Sequence, residues 1–247
     1  SLAKQLVNKG YGVISTYNKH RVDIPLVETC QCDVRSEEDI LRVISLANKR
    51  FNNDYVLINM ASISMDNSIL NKTKKEMMSV LEVNLVGMFL CNQIYARYNS
   101  GGLIINMSST DGIDTYSEYN LDYALSKNGI VKMSEIMGHY IDSKIICICP
   151  NWIDSDSTRE MNQEYLISEL KRVNQSRLIS VDEITTGITS IVEEDFEQIK
   201  QDWETIKAKI CSGHAEDISE GDTFLLGACT KGSTAATSLV QQPFSPV

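Results

Sequence analysis

Basic charge is what this 247-residue chain has too little of, with 23 Lys and Arg against 33 Asp and Glu and a net of −10. A nucleic-acid surface needs a basic face, so this balance argues against a nucleic-acid partner. Histidine is equally scarce, at three residues. With Cys-x-Cys pairs as the only other ligand signal, no metal site is expected. No run approaches the ~18 consecutive apolar residues of a membrane span. No apolar leader follows a basic start, so a cytoplasmic chain without a membrane partner is expected. The seven cysteines are an odd number. Cys30/Cys32 and Cys147/Cys149 alternate along strand-like runs, which puts each pair on one face. They read as small buried hydrophobes in a reducing compartment.

What is present suits an enzyme of one large domain or two small ones. Apolar residues make up 43% of the chain, enough for a substantial core. The strand-like run Leu103-Ile-Ile-Asn-Met-Ser-Ser109 ends in hydroxyls, and Tyr123-Ala-Leu-Ser-Lys127 follows fourteen residues later. Tyr and Lys four apart share one helix face. A buried ammonium beside a phenol lowers the phenol's pKa from about 10 towards neutrality, making it a proton donor for a carbonyl oxygen. Leu57-Ile-Asn59 and Lys144 to Pro150 are further short apolar strands, and Met77 to Tyr98 is a long apolar-periodic stretch containing Asn84. Ser1 to Lys9 reads as a helix capped by Gly10, Gly12 to Tyr17 as a strand, and Val27 to Val34 as containing another. Ser36-Glu-Glu-Asp39 opens a helix with an N-cap and an acidic first turn. Strands alternating with helices imply βαβ units, hence an α/β, doubly wound parallel sheet. Asp33, Asn59, Ser109 and Pro150 fall at strand carboxyl ends, where such sheets bind ligands.

In this order the elements resemble the classical short-chain dehydrogenase/reductase family, over about residues 1–190. Arg177-Leu-Ile-Ser-Val-Asp-Glu-Ile184 also looks like a late segment of that family, with Ser and Val in place of its Gly and Pro. The resemblance implies a Rossmann-like fold and a carbonyl/alcohol oxidoreductase taking a small-molecule substrate, with members most like 3-oxoacyl-carrier-protein reductases. It implies catalytic roles for Asn84, Ser109, Tyr123 and Lys127. Tyr123 would exchange the proton, Lys127 would hold the phenol's pKa down and bond the nicotinamide ribose, Ser109 would fix the carbonyl oxygen, and Asn84 would hold a relay water. Ser108 is the alternative serine; Ser109 fits because Thr-Asp-Gly follows it. Cofactor contacts fall on Asn18, Asp33, Val34, Asn59, Ala61, Tyr123, Lys127, Pro150, Ile153 and Ser155. Thr16 to Arg21 carries no acid and three potentially cationic groups, which favours NADP while leaving NAD open. A homo-oligomer is usual in the family. Two departures stand out. The family's first strand and Gly-rich phosphate turn have no counterpart after Ser1, which predicts weakened NADPH binding and unpaired edges on two neighbouring strands. After Ile191-Val192 the family's last strand and Gly-Gly turn have no counterpart either, so the Rossmann-like sheet is expected to be truncated at both ends, with a small α+β appendage behind it. Asn151 also replaces the usual Gly after Pro150, an expected change to the turn.

The composition shifts after residue 192. Residues 193–247 hold four Lys against ten Asp and Glu, a net of −6, so 1–192 is read as the core and 193–247 as an acidic segment. Phe196, Ile199, Trp203, Ile206 and Ile210 form one stripe of an expected amphipathic helix, and Thr223 to Ala228 an expected strand. The segment is similar to the C-terminal part of GATC-directed mismatch-repair and restriction endonucleases, through Asp202-Trp203, Gly213-His214, Ser219 to Thr223 and Ala228 to Gly232. No nuclease site comes with it. An acidic helix with a turn and strand, of no nuclease ancestry, is the other reading. The whole chain therefore reads either as an oxidoreductase or as an inactive fusion.

Overall fold

The computed structural model describes residues 2–115, 117–193, 223–229 and 240–243. Helix α1 (Leu2–Asn8) ends where Gly10 takes a φ of +92°, a left-handed position that glycine occupies without a Cβ clash. Strands β1 (Val13–Tyr17) and β2 (Val27–Gln31) pair in parallel, Val13 opposite Val27. Helix α2 (Glu37–Phe51) starts at Ser36, whose hydroxyl accepts from the Asp39 amide, with Glu37, Glu38 and Asp39 at its positive end. Strands β3 (Leu57–Asn59), β4 (Leu103–Met107) and β5 (Lys144–Pro150) form a second parallel array. Helix α3 (Lys74–Leu81), a π-helical segment (Glu82–Gly87) and α4 (Met88–Tyr98) link β3 to β4, and α5 (Leu121–Tyr140) links β4 to β5.

β4 and β5 are apolar on both faces because both faces are covered. On one side Ile105, Met107, Ile146 and Ile148 pack against Ile184, Ile188 and Ile191 of the helix Val181–Glu193. On the other, Ile104 and Ile145 meet Ile40 and Ile44 of α2 and Ile94 and Tyr95 of α4. The continuous helical stretch Lys74–Tyr98 is long and apolar enough to cross a membrane by length and composition. Here its Val80, Met88, Ile94 and Tyr95 are core residues. Thr73 starts it with a capping box shared with Glu76.

The sheet comes in two pieces, β1-β2 and β3-β4-β5-β6-β7. Among the described residues no strand lies between β1 and β3, so the facing edge of each lacks a ladder partner. A cavity of about 1120 Å³ lies between them, lined by Ile14, Ile44, Phe51, Leu57 and their neighbours. Strand β6 (Thr223–Cys229) covers the expected Thr223–Ala228 strand, pairs antiparallel with β5, and is followed by β7 (Val240–Pro243). These strands extend the core sheet beside β5, where a truncated edge is expected from the sequence, and they do so antiparallel to it. The amphipathic helix expected from Glu193 to Ile210, and the endonuclease-like Asp202, Trp203, Gly213 and His214, lie outside the described residues.

Candidate active site

Three elements converge at the carboxyl end of β4. Ser109 caps a short 3-10 turn (Thr110–Gly112), its Oγ accepting from the Asp111 amide at 3.2 Å. The turn lies directly on α5: a Cβ at Gly112 would stand 2.5 Å from the Lys127 carbonyl carbon. Only glycine permits that approach, and the approach brings Ser109 to the helix face carrying Tyr123 and Lys127. The Ser109 side chain lies close enough to the Tyr123 phenol to draw its pKa down. The Lys127 Nζ lies 5.3 Å from the centre of the Tyr123 ring and donates to the Met107 carbonyl at 3.0 Å. Ser108 is committed elsewhere, donating to the Lys127 carbonyl at 2.7 Å and fastening α5 to the strand end. Met107, Ser108, Ser109, Asp111, Tyr123 and Lys127 line a cavity of about 750 Å³.

The electrostatics differ from the expectation of an acidified phenol. Tyr123 is pushed up to about 12, first by burial and then by the nearby Asp111 carboxylate, with Ser109 pulling the other way. Lys127, 2% exposed, is pushed down to about 8 because burial penalises its charge. The ammonium sits over the ring and bonds a backbone carbonyl, and burial outweighs its pull on the phenol in this site.

Asn84, on the π-helical segment, is fully buried. Its Oδ1 accepts from the Ile63 amide at 2.8 Å, and its Nδ2 donates to the Ile63 carbonyl at 2.9 Å and the Ser126 hydroxyl at 3.0 Å. Both N–H donors and one acceptor position of the oxygen are used, so the side chain braces the loop after β3 against α5. Asn59 donates to Asn92 Oδ1 at 2.7 Å and Asn106 Oδ1 at 2.9 Å, an internal amide network. Pro150, Ile153 and Ser155 line the catalytic cavity. Ser155 also caps α6 (Asp156–Arg159) by accepting from the Thr158 amide. Asn151 keeps an ordinary negative φ, so its replacement of Gly strains nothing. Val34, Asn59 and Ala61 line the larger cavity, and Met60 lines both, so the two adjoin. Asn18 and Asp33 line neither. The Asn18 carbonyl accepts from Gln31 at 3.0 Å, and the Asp33 carboxylate is held by Arg35 at 2.5 Å.

A nicotinamide cofactor fits the residues around Lys127. A buried ammonium offers donors for ribose hydroxyls, with the Ile153 side chain and the Ser155 hydroxyl in the same wall. At the far end Arg35 bonds Asp33, and Lys19 lies close enough to help lower its pKa, so the region is cationic. No group of three or more His, Cys, Asp or Glu placed for a metal occurs among the described residues.

Several contributors escape a reading by motif. The Lys72–Asp122 ion pair, 2.9 Å and 3% and 0% exposed, ties the loop after β3 to the residue just before Tyr123. Lys72 also donates to the Met65 and Tyr119 carbonyls. Gln175 bonds both backbone groups of Trp152 and so holds the loop after β5. An Asp directly before the Tyr of Tyr-x-x-x-Lys is the one local signal for the first of these.

A family model described as short chain dehydrogenase matches residues 1–166. A 3-oxoacyl-[acyl-carrier-protein] reductase of Bos taurus is 29% identical over 141 residues, covering 55% of this chain and 59% of that one. The enzyme so named from Staphylococcus aureus (strain Mu50 / ATCC 700699) is 26% identical over 195 residues, covering 72% and 78%. The chain thus spans about three fifths of the length of the first of these relatives. Among solved structures, the ligand-free aldohexose dehydrogenase of Thermoplasma acidophilum superposes with a TM-score of 0.67 at 18% identity, covering 76% of this chain and 79% of that one. A short-chain dehydrogenase/reductase from Serratia marcescens gives 0.68 at 19%, covering 77% and 83%. These likenesses carry the fold.

Proposed function

We propose that this chain, which belongs to the short chain dehydrogenase family, is an NAD(P)(H)-dependent carbonyl/alcohol oxidoreductase working through Ser109, Tyr123 and Lys127. The observation that carries this reading is that Ser109, Tyr123 and Lys127 line one cavity, with the buried Lys127 Nζ 5.3 Å from the centre of the Tyr123 ring. When bound, the nicotinamide group supplies hydride to a carbonyl or removes it from an alcohol. The chain's own residues handle the proton. Ser109 Oγ fixes the substrate oxygen where negative charge develops. Tyr123, protonated at neutral pH with its value near 12, gives its proton to that oxygen. The positive charge on Lys127 stabilises the phenolate left behind. Asn84 contributes by bracing the loop after β3 against α5.

Lys127, Pro150, Ile153 and Ser155 would hold the nicotinamide riboside, Asn59 and Ala61 the adjoining ribose, and Asn18, Asp33 and Val34 the adenosine. Lys19 and Arg35 beside Asp33 favour a 2′-phosphate, hence NADP. The relatives' names make 3-oxoacyl thioesters the first substrates to try. Among the described residues Cys30, Cys32, Cys91, Cys147 and Cys149 are free, with the Cys147 and Cys149 sulfurs 3.9 Å apart, which supports a reducing, cytoplasmic setting. Exposed Val86, Phe89, Leu125 and Ile136 support a homo-oligomer.

The test is NADPH consumption by the full chain with a 3-oxoacyl thioester and simple ketones, repeated with Ser109→Ala. Turnover that falls about a hundredfold in the variant is expected, the usual loss for one transition-state donor. A variant as fast as wild type, or no turnover of any carbonyl, contradicts the reading.

A further inference from the structure

Two aromatic rings line the catalytic cavity and take no part in the Ser-Tyr-Lys chemistry. Tyr119 comes from the loop that leads into α5, and Tyr165 from α7 (Gln163–Arg172). Their centroids lie 6.3 Å apart with the planes at 82°, an edge-to-face pair. Both rings are anchored. The Tyr165 hydroxyl shares a hydrogen bond of 3.3 Å with Ser117 Oγ, which also accepts from the Tyr119 amide at 3.3 Å. The Tyr119 carbonyl accepts from the Asn67 amide at 3.1 Å and from Lys72 Nζ at 3.2 Å. At the start of α7, Asn162 Oδ1 accepts from the Tyr165 amide at 3.0 Å. Tyr119 nonetheless keeps 42% of its surface exposed. Rings held in place on several bonds, with aromatic surface still open, make a preformed apolar contact.

We infer that the Tyr119–Tyr165 pair is a specificity element that receives the alkyl chain of a 3-oxoacyl thioester, so that longer chains are preferred to the four-carbon acetoacetyl group. Three features converge on that class. Tyr119 stands four residues before Tyr123 in the lining of one cavity, so a chain attached to the reacting carbonyl reaches the pair. The cofactor side is taken by Lys127, Ile153 and Ser155, which leaves the tyrosine side for substrate. The charged side chains lining the cavity are Asp66, Asp111 and Lys127, and Asp66 reaches Tyr165 electrostatically, so an anionic chain end there would be repelled. Arg172, which also reaches Tyr165, is paired with Glu169 at 2.5 Å. An uncharged chain laid on the rings leaves water for apolar surface, an attraction that grows with each methylene.

The inference rests on the oxidoreductase reading, and its test separates the two. The full chain with NADPH is given the 3-oxooctanoyl and acetoacetyl thioesters of N-acetylcysteamine, which differ only in chain length. In wild type the eight-carbon chain should show a kcat/KM at least about tenfold higher, the lower end for a methylene received by an apolar pocket, expressed mainly in KM. Tyr165→Ala should bring that ratio close to unity. Tyr165→Phe, which keeps the ring and drops the Ser117 bond, should retain it. A ratio of two substrates on one protein does not move when part of the protein is unfolded. Tyr119→Ala, at an exposed ring, should lower the ratio likewise and keeps the test decisive if Tyr165→Ala fails to fold. A wild type without chain-length preference, or folded alanine variants that keep it, overturns the specificity element alone. Turnover of simple ketones but of neither thioester overturns the element and leaves the oxidoreductase reading standing. No turnover of any carbonyl overturns both.

Discussion

Replacing Lys72 by Met should do more damage than its position in a loop suggests. Lys72 and Asp122 are 3% and 0% exposed, and removal of the ammonium strands a carboxylate whose Oδ2 already has no partner among the described residues. Breaking one side of a fully buried pair costs about 3–5 kcal/mol. At about 2–4 °C per kcal/mol for a body of this size, the melting temperature should fall by about 6–20 °C. The double variant Lys72→Met, Asp122→Leu removes both charges and should recover most of the loss. Urea unfolding followed by circular dichroism measures all three. Because Lys72 also holds the Met65 and Tyr119 carbonyls, substrate KM should rise in the single variant even where the protein is folded. A single-variant loss under about 1 kcal/mol, or a double variant no better than the single, would refute the reasoning.

Other expectations follow from the same coordinates. Lys127's value near 8 lies below its ordinary 10.5, so between the two the unfolded chain binds more protons and this group's destabilisation is relieved as pH rises. The stability advantage of Lys127→Met should therefore be greatest below pH 8 and shrink towards 10.5, measured by denaturation across that range. Reductive kcat/KM should fall as pH rises through about 8, because the charge that stabilises the phenolate is lost there, and a profile flat to pH 10 contradicts this. Gly112→Ala places a Cβ 2.5 Å from the Lys127 carbonyl carbon. It should cost about 1–3 kcal/mol and, by moving Ser109, about a hundredfold in turnover. Hydrogen exchange should be fast along the facing edges of β1 and β3 and slow in β4 and β5.

The sequence showed the alternation of strands and helices because each carries its own local signal. Ser36 with Asp39, Gly10 after α1 and the unbroken apolar run of β5 are visible without coordinates. The Ser-Tyr-Lys grouping was legible for a related reason: Gly112 and the helix period together dictate how a strand end meets α5. What stayed hidden was long-range. Asn84's bonds to Ile63 and Ser126 join residues 21 and 42 positions away and have no local signal. Lys72 finds Asp122 across 50 residues. The phenol's pKa was misjudged because spacing reports that two groups are close, whereas the ionisation is governed by burial and by where the ammonium spends its hydrogen bond.

A single-turnover measurement on Tyr123→Phe, with NADPH binding followed separately by fluorescence, reaches the centre of the account. Loss of the phenolic proton should slow the chemical step by about 10²–10⁴-fold, the span of a positioned acid, with NADPH affinity unchanged. A phenylalanine variant that transfers hydride at the wild-type rate would show that residue 123 is not the proton donor.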